Sequence, residues 1–353
     1  GAVISQFSAH YAFAQLTQSS TPLEQQRAQL ESIINQYESD VYLAAWVRAQ
    51  VFELNQLLQV TNPTDAQQQR FETLAVAAVE ASERAIALDP TESVNYVLRG
   101  TVYGILALAG VPTATEEAYQ DFATAKQFDP INPQYDFLTA QLANRLGDTE
   151  RAREGLVAAL TLRPAFTEAL LLLAQLEIAA GNTAAALDTT RALIRVEPQN
   201  PARYFQLGVL LTAAGEVDAA ATALDQAIQL DPEYANARYI RALINVDRGD
   251  VAAALADLEI VLQSNAENAE LQALVAQLRN GETANVPDVA DINPVAEGTP
   301  AATGTNAPVL APDDPGSALL TPVNTVDEAD GEDAPAAVEI TTESVLEPAT
   351  TSP

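Results

Sequence analysis

The chain has no cysteine and no methionine, and only one histidine (His10), one tryptophan (Trp46) and one lysine (Lys126) among 353 residues. Without cysteine there is no disulfide, no thiolate metal site and no sulfur nucleophile, and the redox compartment goes unmarked. The 17 basic residues stand against 48 acidic ones, a formal net charge of −31. That balance disfavours nucleic acid, whose binding depends on neutralising phosphates with Lys and Arg, and it disfavours anionic membrane surfaces. No run approaches the roughly 18 apolar residues of a membrane helix, so no membrane insertion is expected. A sequence that opens on Gly1 and holds no methionine points to a removed leader. Cleavage of a secretory signal is the simplest route, which leads to an extracellular or cell-envelope location; an expression product is the plainer alternative.

What the chain does have is period. Pro130, Pro164, Pro198 and Pro232 stand 34 residues apart, and an internal repeat of that length means stacked supersecondary units, none able to bury its apolar face alone. The stretch from Pro201 to Glu233 shows the unit most clearly. Two helical patterns meet at Gly215, and small residues at Gly208, Ala220 and Ala227 let them pack closely. Asp231-Pro232 ends the second helix, because proline lacks an N–H and disfavours helical backbone at the residue before it.

The order of large and small residues resembles the tetratricopeptide repeat family: Tyr204, Leu207-Gly208, Leu211, Ala220, Leu224, Ala227 and Pro232 occupy the places of that family's bulky, Leu-Gly, aromatic, Ala, bulky, Ala and Pro positions. The resemblance implies an all-α fold, a right-handed α-solenoid of helical hairpins, with a capping helix and an extended, non-regular C-terminal tail. It covers residues 91–281 best. Residues 1–90 read as four helices forming a degenerate, TPR-like cap, the second opened by a capping box at Thr21-Pro22-Leu23-Glu24 and the fourth running from Thr64 to Leu88. Between Pro90 and Pro130 the repeat has six extra residues, expected to lengthen the turn near Ala109 to Thr115. Glu267 to Asn280 reads as the solvating end helix, closed by Gly281. Residues 282–353 are rich in Pro, Thr, Ala and acids and contain no Lys or Arg, a composition that does not build a core and suits O-linked glycans.

Nothing in the sequence calls for catalysis, a cofactor or a metal. His10 lacks a Ser or Asp partner by motif, and triad chemistry needs a nucleophile, a base and an orienting group. Glu116-Glu117 sits where a helix begins, and the helix dipole accounts for it. Asp327 to Asp333 fails the calcium-loop pattern, since Val326 falls at the first ligand position. Asp313-Asp314 has no such pattern either.

The best candidate surface comes from the family resemblance. In such repeats the fifth residue of each first helix points into the concave groove, which implies Val97, Phe137, Leu171, Phe205 and Tyr239. Four residues on stand Thr101, Gln141, Gln175, Val209 and Leu243. These positions suit an extended, weakly polar peptide, with apolar pockets for side chains and glutamines for backbone groups. Packing against neighbouring helices is the competing use for the same residues. The expected function is a non-enzymatic interaction scaffold, self-assembling as a filament or oligomer with the tail of one copy docked on another. The alternative is a secreted or periplasmic adaptor whose groove takes an extended peptide of a different protein.

Overall fold

The structure, a computed structural model, describes residues 6, 8–13 and 23–281, and every element among them is helical. The expected all-α architecture of consecutive hairpins is observed. The chain divides into two compact units, one ending at Leu162 and the other beginning at Arg163.

In the first unit, α1 (Leu23–Gln36) packs on α2 (Asp40–Leu58), which pairs with α3 (Asp65–Leu88). Helix α3 starts where the sequence supplies a capping box: the Thr64 hydroxyl accepts from the Gln67 N–H, and the Gln67 carboxamide accepts from the Thr64 N–H at 2.9 Å. Residues 8–13 are helical, and Ala9 packs with Leu30, Ile33 and Tyr42. Thr21 and Pro22, expected to open α1, lie outside the described residues. Two further hairpins follow, α4 (Ser93–Leu108) with α5 (Ala114–Phe128), and α6 (Gln134–Arg145) with α7 (Thr149–Leu162). Compared with the other hairpins, three of the six extra residues lengthen α4, two the turn and one α5. The turn is longer, as expected, but it takes only part of the insertion: an apolar run through Ile105, Leu106 and Ala107, all buried, continues the first helix.

The second unit holds α8 (Thr167–Ala179) with α9 (Thr183–Val196), α10 (Pro201–Ala213) with α11 (Val217–Leu230), α12 (Ala235–Asp247) with α13 (Val251–Ser264), and then α14 (Ala269–Arg279). Helix α11 buries Ala220, Ala223, Leu224, Ala227 and Ile228, one face at helical spacing. Each turn inside a hairpin is closed the same way. Gly215 has φ 76°, and the Glu216 N–H donates to the Leu211 carbonyl at 2.8 Å; Gly181 and Gly249 repeat the arrangement 34 residues either side. Only glycine takes that left-handed conformation without strain, and the backbone bonds it permits satisfy carbonyls left open at the helix end. Helix α14 buries Leu271, Leu274, Val275 and Leu278, while its other face carries Glu270, Gln272, Ala273, Ala276 and Arg279 to water. It ends at Gly281, φ 69°, as the sequence indicated.

Candidate protein-interaction surfaces

In the second unit the fifth residue of each first helix is Leu171, Phe205 or Tyr239, and all three are half-buried. The Phe205 ring meets Tyr234 edge-on, centroids 5.4 Å apart, leaving part of one face open. Burial, with a smaller push from Glu270, raises the Tyr239 hydroxyl above its ordinary value, so the phenol remains a donor at neutral pH. One turn on, Gln175 is exposed, but Val209 is 6% exposed and Leu243 1%. These two face the apolar core because α10 and α12 approach each other directly. The open strip of this unit therefore narrows to Leu171, Gln175, Phe205 and Tyr239.

The first unit differs. From Gly100 to Ala107 every residue of α4 is buried, since α2, α3, α5 and α6 all pack on it. Thr101 is 2% exposed, and its hydroxyl donates to the Val97 carbonyl at 2.7 Å. Val97 is half-buried against the core. On α6, Phe137 is 6% exposed, and the face opens only one turn later at Gln141, followed by Asn144 and Arg145. Asn144 and Arg145 carry no repeat signature, so the sequence reading passed over them.

Two ion-pair clusters were also missed. Asp257 on α13, 3% exposed, accepts from Arg238 at 2.6 Å and from Arg241 at 2.7 and 2.8 Å. Arg241 reaches Asp225 as well, and its guanidinium is held above its ordinary value, chiefly by the bond to Asp257. In the first unit, Asp121 accepts from Arg99 at 2.8 and 2.9 Å. Once the six extra residues are discounted, Arg99 and Asp121 hold the same register as Arg241 and Asp257. The three intervening hairpins have Thr139 with Gly155, Leu173 with Thr189 and Leu207 with Ala223 at those positions. The pairs lie between the two helices of one hairpin and fix their alignment.

His10 lies with Nδ1 2.5 Å from the Tyr42 hydroxyl and its ring edge-on to that of Tyr42, a packing role. Glu116 and Glu117 fall in the first turn of α5, as the dipole argument requires. Among the described residues no cluster of three or more His, Asp or Glu side chains is arranged to hold a metal, and no helix is long and apolar enough to cross a membrane. Asp313-Asp314 and Asp327 to Asp333 lie outside the described residues.

Residues 143–208 and 205–270 match two tetratricopeptide repeat models. Similar solved structures include a tetratricopeptide repeat protein from Parabacteroides merdae, 16% identical, with 78% of this chain and 98% of that one covered and a TM-score of 0.41. Yeast Tom70 is 17% identical, with 78% and 59% covered and a TM-score of 0.39. MamA from Desulfovibrio magneticus is 20% identical, with 52% and 96% covered and a TM-score of 0.36. No curated protein sequence matches the chain.

Proposed function

The chain is a tetratricopeptide repeat protein, a scaffold for protein–protein interaction, and from that premise we propose a self-assembling structural role outside the cell or on its surface, non-enzymatic, with the tail of one copy docked on a neighbour. The observation that carries this reading is the half-buried strip Leu171, Phe205 and Tyr239, repeated at 34-residue spacing beside exposed Gln175. Extended segments suit such a strip, and residues 282–353 offer short apolar patches at Val309-Leu310, Leu319-Leu320, Val338 to Ile340 and Val345-Leu346. Tail-to-body docking is heterologous, and it builds a filament unless the rotation closes a ring. In this reading the Thr and Ser of the tail carry O-linked glycans, and neither nucleic acid nor a membrane is a partner.

A second reading is favoured by α14. Its polar outer face suits a row of hairpins whose last member is open to water, and so a monomeric envelope adaptor whose strip binds another protein's extended peptide. Electron microscopy and sedimentation of the full chain at neutral pH separate the two. Subunits of charge −31 repel one another, and salt screens that repulsion, so the first reading requires filaments or rings at some concentration and salt. Dispersed monomers at every concentration and salt would leave the adaptor.

A further inference from the structure

Helix α6 presents Gln141, Asn144 and Arg145 together, at i, i+3 and i+4, so that all three share one half-exposed face. None of their side chains makes a hydrogen bond or ion pair to another described residue. For Arg145 this is unusual in the first unit, where Arg27, Arg70, Arg84, Arg99, Lys126, Arg151 and Arg153 all pair with carboxylates. Arg48 is likewise without a carboxylate, but no amide stands three or four residues from it on α2. Burial lowers the Arg145 pKa from its ordinary value, and no anion offsets that loss of hydration. A guanidinium in that state gains from any carboxylate brought to it, and the two neighbouring amides can hold backbone groups of the chain that brings it.

We infer that this face of α6 docks residues 308–314 of a second copy of the chain, with Asp313 at Arg145 and the Ala311 carbonyl at the Gln141 amide. The inference rests on the tail-docking reading above and adds to it a polar site on the first unit, distinct from the Leu171, Phe205 and Tyr239 strip, which is left to the other apolar patches of the tail. Three properties of the sequence select the segment. Residues 282–353 contain no Lys or Arg, so the tail brings negative charge without a competing cation. Within Pro308-Val309-Leu310-Ala311-Pro312-Asp313-Asp314-Pro315, three prolines restrict the backbone toward an extended form, which lowers the entropy lost on docking. Spacing also agrees. From Gln141 to Arg145 the helix rises about 6 Å, and two residues of extended proline-type chain span about 6 Å. The segment begins 27 residues after Gly281. Phe137, one turn before Gln141, is only 6% exposed and offers the apolar pair Val309-Leu310 no pocket, so the contact is mainly polar. Its affinity should fall as salt rises, opposite to the effect of salt on bulk subunit repulsion.

The test is photo-crosslinking in the full chain, with p-benzoylphenylalanine in place of Leu146, the exposed C-cap residue next to Arg145, and the protein mixed with an equal amount of ¹⁵N-labelled wild type. Crosslinks from position 146 to labelled residues 308–314 are the expected result. Crosslinks to another part of the labelled tail would overturn this site while leaving tail docking intact. Crosslinks to residues 308–314 of the same, unlabelled copy alone would keep the segment at α6 but overturn docking between copies. No crosslink to any tail residue would overturn both. A charge exchange supplies the second readout. Arg145→Glu should weaken the contact about tenfold, and Asp313→Lys with Asp314→Lys in the same chain should restore it. Equal contact in wild type and Arg145→Glu, with unchanged thermal melting, would overturn the inference.

Discussion

A Cβ on Gly208 would lie 2.8 Å from both Cγ and Cδ2 of Leu224, closer than side chains approach. This contact is the sequence's Leu-Gly position meeting its bulky second-helix position, and it sets how near α10 comes to α11. Leu224 is fully buried, so it can yield only by displacing its core neighbours. Gly208→Ala should therefore destabilise the protein by about 1–3 kcal/mol through overpacking, despite alanine's better helix propensity. Gly104→Ala is the control. Its added carbon meets Leu142 at an ordinary 3.6 Å, so urea unfolding should show a neutral effect or a gain of up to about 1 kcal/mol.

Asp257 pairs with two arginines at once, and it is the most buried member of that cluster. Removing it leaves Arg238 without its carboxylate and Arg241 with only the more exposed Asp225. Asp257→Ala should cost about 3 kcal/mol or more in denaturant unfolding at neutral pH. Asp225→Ala removes only the exposed partner of Arg241 and should cost less than about 1 kcal/mol. Equal losses from the two would show that burial does not set the energy of this cluster.

Glu53 on α2 joins three helices, accepting from Arg70 on α3 at 2.8 Å and from Arg27 on α1. Burial pushes its carboxyl up, but the bonds and charges of Arg70 and Arg27 together outweigh that and hold the pKa below the ordinary 4.5. A depressed pKa means the unfolded state binds the proton more readily, so the stabilisation is present above about pH 4.5 and is lost as pH falls through the folded value. Thermal melting of wild type should drop across that acid window. Glu53→Gln should melt lower at pH 7 and lose less on acidification; a parallel loss in both proteins would remove Glu53 from the account.

Phe205 and Leu243 separate surface from core. Leu243→Ala empties a position 1% exposed and should cost about 2–5 kcal/mol of stability. Phe205→Ala, on the open strip, should lower stability less and weaken self-association or peptide capture by about tenfold or more. Sedimentation against concentration, beside urea melts, reads both quantities. If Phe205→Ala changes only the melt, the strip is packing surface.

The sequence alone determined the order of the helices, the glycine turns of the second unit and several of the caps. Gly181, Gly215 and Gly249, the Thr64 capping box and the end of α14 at Gly281 depend on residues within four or five positions, so spacing suffices to find them. The close approach at Gly208 was legible for the same reason, because residue size repeats with the period. Tertiary structure decided which first-helix positions stay open. Val97 and Tyr239 hold one register, as do Gln175, Val209 and Leu243, yet exposure within the second set runs from open glutamine to a leucine 1% exposed. That difference comes from which neighbouring helices cover each face, a relation between residues far apart in sequence. The six-residue insertion likewise hid the shared register of Arg99–Asp121 and Arg241–Asp257, and only the folded hairpins align them. Arg145 belongs to the same class: its identity is in the sequence, but its lack of a carboxylate partner is a property of the packed helices around it.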